Sequence, residues 1–132
     1  MQADPILAAF TAQKARSAER RSSFGLTERR DALDRLAQAI RASEADLVAA
    51  LQSDLGRPEA ETILIDYLPV LQEIRHTRRH LRRWMKPRRV APTLASFGAT
   101  ARIVPQPRGV CLIIAPWNLP FALALGPVVS AL

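Results

Sequence analysis

The chain ends in a run of 24 residues, Gly109 to Leu132, that contains no charged side chain. A run of this length can cross a bilayer as a helix, since about 20 apolar residues span the hydrocarbon core. Asn118 places a polar amide in the middle of the run. Three prolines and a glycine also interrupt it, namely Pro116, Pro120, Gly126 and Pro127. A buried strand, a turn and a helix explain these residues better than a membrane span, so we expect no span.

The strand of this unit is predicted at Val110–Ile114, a continuous apolar run rich in branched side chains. Runs of this kind are typical of strands that are buried on both faces in a parallel sheet. A turn is predicted at Ala115–Asn118, followed by an apolar helix over Leu119–Leu132. The segment therefore indicates an α/β fold class.

Four helices are predicted before residue 87. Asp4 is expected to cap the first helix, with Pro5 at the first helical position, where the missing N–H costs nothing. This helix is expected to fade in the polar stretch Arg20–Ser23. Thr27 is expected to cap the second helix, whose leucines recur at helical spacing.

The third and fourth helices carry clearer boundary signals. Ser43 with Asp46 three residues later predicts a capping box at the start of the third helix, and Gly56 predicts its end. Pro69 is expected to kink the fourth helix. Its apolar face is predicted from residues spaced alternately by four and three, namely Ile63, Tyr67, Val70, Ile74, Thr77, Leu81 and Trp84.

The residues after Pro87 change in character, with several prolines and glycines between short apolar runs. Two short strands are predicted at Thr93–Phe97 and Ala101–Val104, with a turn at Gly98 between them.

The formal net charge of +7 is concentrated in one segment. Outside this segment the chain has eleven basic and twelve acidic residues, so the basicity is local. A basic helix end can bind nucleic-acid phosphates without base specificity, and a nucleic-acid-binding module is therefore the alternative function. The segment, here called the basic cluster, consists of Arg75, Arg78, Arg79, Arg82, Arg83, Lys86, Arg88 and Arg89.

Three residues are of types that act as nucleophiles or metal ligands, but a structural role explains each of them better. Cys111 is the one cysteine of the chain, which excludes an intrachain disulfide, and its place in the predicted strand favours a buried structural role. His76 and His80 are four residues apart, as two metal ligands on a helix face would be. Their neighbours are arginines and no third ligand is close, so we expect a solvated or interface pair and no metal site.

The residues Pro107–Phe121 read Pro-Arg-Gly-Val-Cys-Leu-Ile-Ile-Ala-Pro-Trp-Asn-Leu-Pro-Phe. This segment resembles the first strand and turn of the cofactor-binding domain of aldehyde dehydrogenases, in which Pro-Trp-Asn and a second proline follow an apolar strand. Residues 68–76 and 81–87 resemble the class-3-like branch of that family, and within it the bacterial coniferyl aldehyde dehydrogenases. The resemblance covers nearly the whole chain and is weakest over the first twenty residues.

The resemblance implies a protein built from a dinucleotide-binding domain, a catalytic domain and an oligomerisation arm. In this chain, residues 1–87 would form an N-terminal helical segment, 88–108 short strands of the arm, and 109–132 the start of the dinucleotide-binding domain. It also implies a cytoplasmic protein that forms a homodimer at full length. The expected partner is a small-molecule aldehyde, with no role for nucleic acid.

The family's reaction oxidises an aldehyde attached to a catalytic cysteine, with NAD or NADP as the hydride acceptor, and releases a carboxylic acid. By resemblance, the side-chain amide of Asn118 would stabilise the oxyanion, although asparagine is also common in turns for local reasons. The family's nucleophilic cysteine and general-base glutamate would lie beyond residue 132, so we expect these residues alone to be inactive. The cofactor ribose would be lined by Ile114, Ala115, Pro116 and Trp117.

Overall fold

The computed structural model describes residues 4–132, and its first two helices are α1, Pro5–Ala15, and α2, Ser17–Ser23. Asp4 caps α1 as predicted, because its Oδ1 accepts the N–H of Ile6 at 2.9 Å. Pro5 occupies the first helical position. The single helix predicted up to Ser23 is divided at Arg16, which leaves two helices without buried side chains.

Helix α3 spans Leu26–Ala42, so the prediction that Thr27 caps it is wrong. The chain enters the helix at Gly25, whose N–H donates to Oε2 of Glu28 at 2.9 Å. This contact satisfies the backbone N–H of the residue before the helix, and the Gly25 position itself provides no side-chain cap.

Helix α4 spans Glu44–Leu55. The capping box predicted at Ser43 is absent, because the Ser43 side chain makes no cap hydrogen bond. Its φ of −100° and ψ of 13° lie outside the helical region, and this single residue separates α3 from α4. Gly56 ends α4 as predicted, with a left-handed φ of 64° that favours glycine.

The predicted fourth helix consists of three consecutive parts: α5, Glu59–Glu61, a π-helical segment, Thr62–Tyr67, and α6, Leu68–Trp84. Pro69, where a kink was predicted, is the second residue of α6 and follows the π segment after Leu68. A proline has no N–H to donate to the preceding turn, and a π turn is one way in which a helix accommodates such a gap.

A two-stranded antiparallel sheet follows, formed by β1, Arg88–Val90, and β2, Ala101–Ile103. The second strand was predicted, but the first was placed too late, because Thr93–Phe97 contains the 3₁₀ turn Leu94–Ser96. The hydroxyls of Thr93 and Ser96 lie 3.0 Å apart and stabilise that turn locally. The predicted turn at Gly98 is present, with a φ of 88°.

The strand predicted at Val110–Ile114 does not form, and this is the largest correction. The segment has no strand beside it within residues 4–132, so its backbone has no ladder in which to pair. Three of its five side chains are exposed, and Ile114 is 86% exposed. Cys111 is also exposed, so the buried structural role predicted for it is wrong here.

The last helix, α7, spans Pro120–Ala131 and packs against α6. Helix α6 also packs against α3, so it lies at the centre of the core. No helix of residues 4–132 is both long and apolar enough to cross a membrane. The buried core joins α3, the π segment, α6 and α7 through Leu33, Ala37, Ile40, Tyr67, Val70, Leu71, Ile74, Leu81 and Val129.

Candidate functional site

Asn118 lies in the turn that precedes α7 and is exposed. Its backbone carbonyl accepts a hydrogen bond from Nη2 of Arg57 at 2.7 Å. Pro120 occupies the first position of α7, which fixes the backbone where the chain enters the helix. Leu119 stands at the capping position and provides no side-chain cap, so the backbone N–H groups in the first turn of α7 need acceptors from elsewhere in the chain.

Asp66, in the π segment, provides an acceptor for a backbone N–H at the start of α7. The residue is 0% exposed. Its Oδ1 accepts the N–H of Ala122, in the first turn of α7, at 2.9 Å. Its Oδ2 pairs with Nη1 of Arg57. A carboxylate at a helix N-terminus is favoured by the unpaired N–H groups and by the positive end of the helix dipole.

Arg57 connects the parts of this site. It follows Gly56, and its side chain is only 11% exposed. Its three nitrogens contact three different groups: Nε lies 3.3 Å from Oε1 of Glu61, Nη1 pairs with Asp66, and Nη2 donates to the carbonyl of Asn118. A planar guanidinium with donors in a fixed fork is suited to hold such groups at once.

A cleft of about 400 Å³ lies beside this network. Trp117 and Asn118 form one wall, and the end of α4 with the residues after it forms the other. An amide side chain at such an edge is able to donate a hydrogen bond to an oxygen that gains negative charge. The cleft is lined by Leu55, Gly56, Arg57, Pro58, Glu61, Trp117 and Asn118.

The four residues expected to line a cofactor, Ile114 to Trp117, are consecutive and lead directly to Asn118. Three of them are exposed and Ala115 is half-buried. They lie outside helices and strands, so their backbone groups are not committed to a regular ladder. An accessible loop with free backbone groups fits a role in contacting the sugar of a dinucleotide.

The structure does not bring Cys111, His76 or His80 into this site. The histidine rings lie 4.3 Å apart on α6, and His80 stacks on Trp84. Nδ1 of His80 lies 2.8 Å from the carbonyl oxygen of His76, which occupies one ring nitrogen locally. Within residues 4–132, no three side chains of metal-ligating type come together.

Sequence reasoning missed Arg57 and Asp66. One signal was available for Asp66, because it stands four residues before Val70 and therefore falls on the apolar face of the helix. A carboxylate on such a face must be paired or bonded to remain buried. Arg57 had no comparable signal, since it lies among the ordinary charges of a connecting segment.

Comparison with known proteins identifies the family. The aldehyde dehydrogenase family profile matches residues 2–132. The chain belongs to the aldehyde dehydrogenase family. The family predicted from the sequence is therefore confirmed.

Individual relatives agree with this assignment. "Aldehyde dehydrogenase family 3 member H1" of Arabidopsis thaliana is 39% identical over 89 residues, which are 67% of this chain and 18% of that protein. A Pseudomonas aeruginosa protein named "Probable coniferyl aldehyde dehydrogenase" is 39% identical over 87 residues, or 65% of this chain and 18% of that protein. The predicted resemblance to class-3 and coniferyl aldehyde dehydrogenases is thereby supported.

A solved structure supports the fold as well. The substrate-bound state of Staphylococcus aureus AldH superposes with a TM-score of 0.88 and 31% identity, covering 97% of this chain and 28% of that one. The predicted aldehyde-dehydrogenase-like fold is confirmed. This chain spans less than a third of the length of each of these relatives.

Proposed function

We propose that this chain forms the oxyanion-binding edge and part of the cofactor-binding loop of an enzyme that oxidises an aldehyde to a carboxylic acid with NAD or NADP. The observation that carries the proposal is the position of Asn118. It stands on the rim of a cleft, its backbone is held by Arg57, and the exposed loop 114–117 leads into it.

The chemical role of Asn118 follows from where charge develops. When a nucleophile attacks an aldehyde, its carbonyl oxygen becomes negative, and an amide donor already in place stabilises that charge without reorganising. Removal of one such donor typically costs about 100- to 1,000-fold in kcat. The bond from Arg57 uses the backbone carbonyl of Asn118, so the side-chain amide does not take part in that contact.

The cofactor role is proposed for Ile114, Ala115, Pro116 and Trp117. Bound NAD or NADP would supply the hydride acceptor, and these residues would contact its sugar from one side. Coniferyl-like aromatic aldehydes are the proposed substrate class, because proteins named for that substrate are among the relatives. We also propose a homodimer for the complete enzyme, with β1 and β2 in its oligomerisation arm.

The proposal is testable in a chimera in which residues 1–132 replace the matching segment of Staphylococcus aureus AldH. We expect the chimera to reduce NAD or NADP in the presence of coniferyl aldehyde, and Asn118→Ala to lower kcat by about 100-fold or more. Gln106→Ala is the matched control, since it removes an exposed amide from the same loop outside the cleft. Equal activity of both variants would contradict the role of Asn118.

The isolated chain provides a second test. We expect purified 1–132 to show no aldehyde oxidation above background, because the nucleophile is proposed to come from other residues of the enzyme. Oxidation that disappears in Cys111→Ala would contradict this, since Cys111 would then supply the thiol.

A further inference from the structure

The Arg57–Asp66 pair holds the segment that carries Asn118 at two points. Nη2 of Arg57 donates to the Asn118 carbonyl at 2.7 Å, and Oδ1 of Asp66 accepts the Ala122 N–H at 2.9 Å. The two side chains are joined through Nη1 and Oδ2. The pair therefore anchors the backbone at Asn118 and again four residues later.

The pair reaches this segment from far away in the sequence. Arg57 is 61 residues from Asn118, and Asp66 is 56 residues from Ala122. Most helices are capped by a residue at their own start, but α7 has Leu119 there, without a cap bond. A cap from a distant residue satisfies the helix end. It also holds that end in a defined position relative to Arg57, which lines the cleft.

Stability alone is a weak explanation for this arrangement. Asp66 is 0% exposed and the Arg57 side chain is 11% exposed, so both charges have lost most of their water. Burying an ion pair costs desolvation that the attraction often only offsets, and apolar residues of similar size are frequently as stabilising. What the ion pair provides is a fixed geometry, because three directed bonds determine where the turn lies.

We propose that Arg57 and Asp66 are positioning residues for Asn118, which fix its backbone so that its side-chain amide points at the reacting oxygen. This inference rests on the proposed function of Asn118. A misplacement of about 1 Å in such a donor is able to cost about 100-fold in rate. Neither residue needs to touch the substrate for this effect.

The test is a double-mutant cycle in the chimera described above. Asp66→Ala is expected to lower kcat by about 10- to 100-fold while leaving KM for the cofactor within about twofold. In the Asn118→Ala background the same change is expected to have almost no further effect, because the donor that it positions is already gone. A loss of equal size in both backgrounds would overturn the proposal and leave Asp66 with a role in folding only.

Conservative variants guard against simple misfolding. Asp66→Asn keeps an oxygen that accepts the Ala122 N–H, and is expected to recover part of the lost kcat. Arg57→Lys keeps the charge but offers one nitrogen in place of the planar fork whose Nη1 and Nη2 contact Asp66 and Asn118, so its kcat is expected to fall towards that of Asp66→Ala. Full activity of Arg57→Lys would overturn the proposal, because the fork would then be unnecessary.

Hydrogen exchange gives a readout that does not depend on catalysis. In the chimera, the Ala122 amide is expected to be protected and to lose at least about tenfold of its protection in Asp66→Ala, while amides of α3 keep theirs. Fast exchange of Ala122 without any mutation would overturn the inference. If Asn118→Ala leaves kcat unchanged but Ala122 is protected as expected, the proposed function fails while the anchoring contact stands.

Discussion

Nε of Arg78 on α6 lies 2.6 Å from Oδ1 of Asp34 on α3. One member of the basic cluster is thus paired with a carboxylate of the helix beside it. Both side chains are about half exposed, so the pair contributes about 1 kcal/mol or less. The positive charge of the basic cluster is therefore partly balanced by a carboxylate of the same protein.

The first prediction concerns nucleic acid. We expect the protein to bind duplex DNA more weakly than about 1 µM at physiological salt, because its charge excess is local and not spread over a groove. Fluorescence anisotropy with labelled duplex measures this directly. Tighter binding that is lost when Arg78, Arg82 and Arg83 are changed to Ala would support the nucleic-acid-binding alternative.

The second prediction concerns the core. Leu33 is 0% exposed in α3, and Leu33→Ala is expected to lower the free energy of unfolding by about 2–5 kcal/mol through lost burial and a cavity. Leu94→Ala is the matched control, because Leu94 is 94% exposed, and its effect is expected to stay within about 0.5 kcal/mol. Urea unfolding measures both. Similar values for the two variants would show that α3 does not contribute to the packed core.

The third prediction concerns the end of α4. Gly56 has a φ of 64°, which costs an L-residue about 1–2 kcal/mol. Gly56→Ala is therefore expected to destabilise the protein by about 1 kcal/mol, and Gly56→Asn by less, because asparagine tolerates this conformation. Nothing crowds the position, so steric clash does not complicate the comparison. An alanine variant as stable as the asparagine variant in thermal melts would contradict the backbone explanation.

The fourth prediction concerns pH. A hydrogen bond to Glu44, together with burial and the nearby Glu44 charge, raises the pKa of Tyr67 above its ordinary value of 10.0, although Arg41 lowers it. The unfolded chain therefore loses the phenolic proton first, and the free energy of unfolding is expected to fall as pH rises above 10.0. Urea titrations from about pH 9 to about pH 11.5 measure this slope. Tyr67→Phe lacks the phenol, so an unchanged slope in that variant would assign the effect to other groups.

Local patterns predicted the helical part of this fold well, for a physical reason. The apolar stripe of α6 needs only its own sequence to be read, and Val70, Ile74 and Leu81 are buried as expected. The strand at Val110–Ile114 was predicted from the same kind of pattern, but a strand forms only where another strand accepts its hydrogen bonds. Apolar sequence alone could not supply that partner.

The residues of the candidate site also differ in whether the sequence could predict them. Asn118 was found because it stands in a recognisable sequence motif. Arg57 was not, because its contact with Asn118 joins residues 61 positions apart and leaves no periodic trace. The place of Asp66 on the apolar face was a signal that it is paired, but not that its partner is Ala122, 56 residues away. Their role depends on how α4, the π segment and α7 pack together.

The π segment Thr62–Tyr67 makes the chain intolerant of length changes at this point. A π turn accommodates one residue more than an α turn, and one residue corresponds to about 100° of rotation around a helix. A deletion here would restore regular α-helical bonds but turn Asp66 away from α7, or else turn α6 out of the core. Insertions and deletions during evolution would instead be accommodated in the exposed residues 91–100.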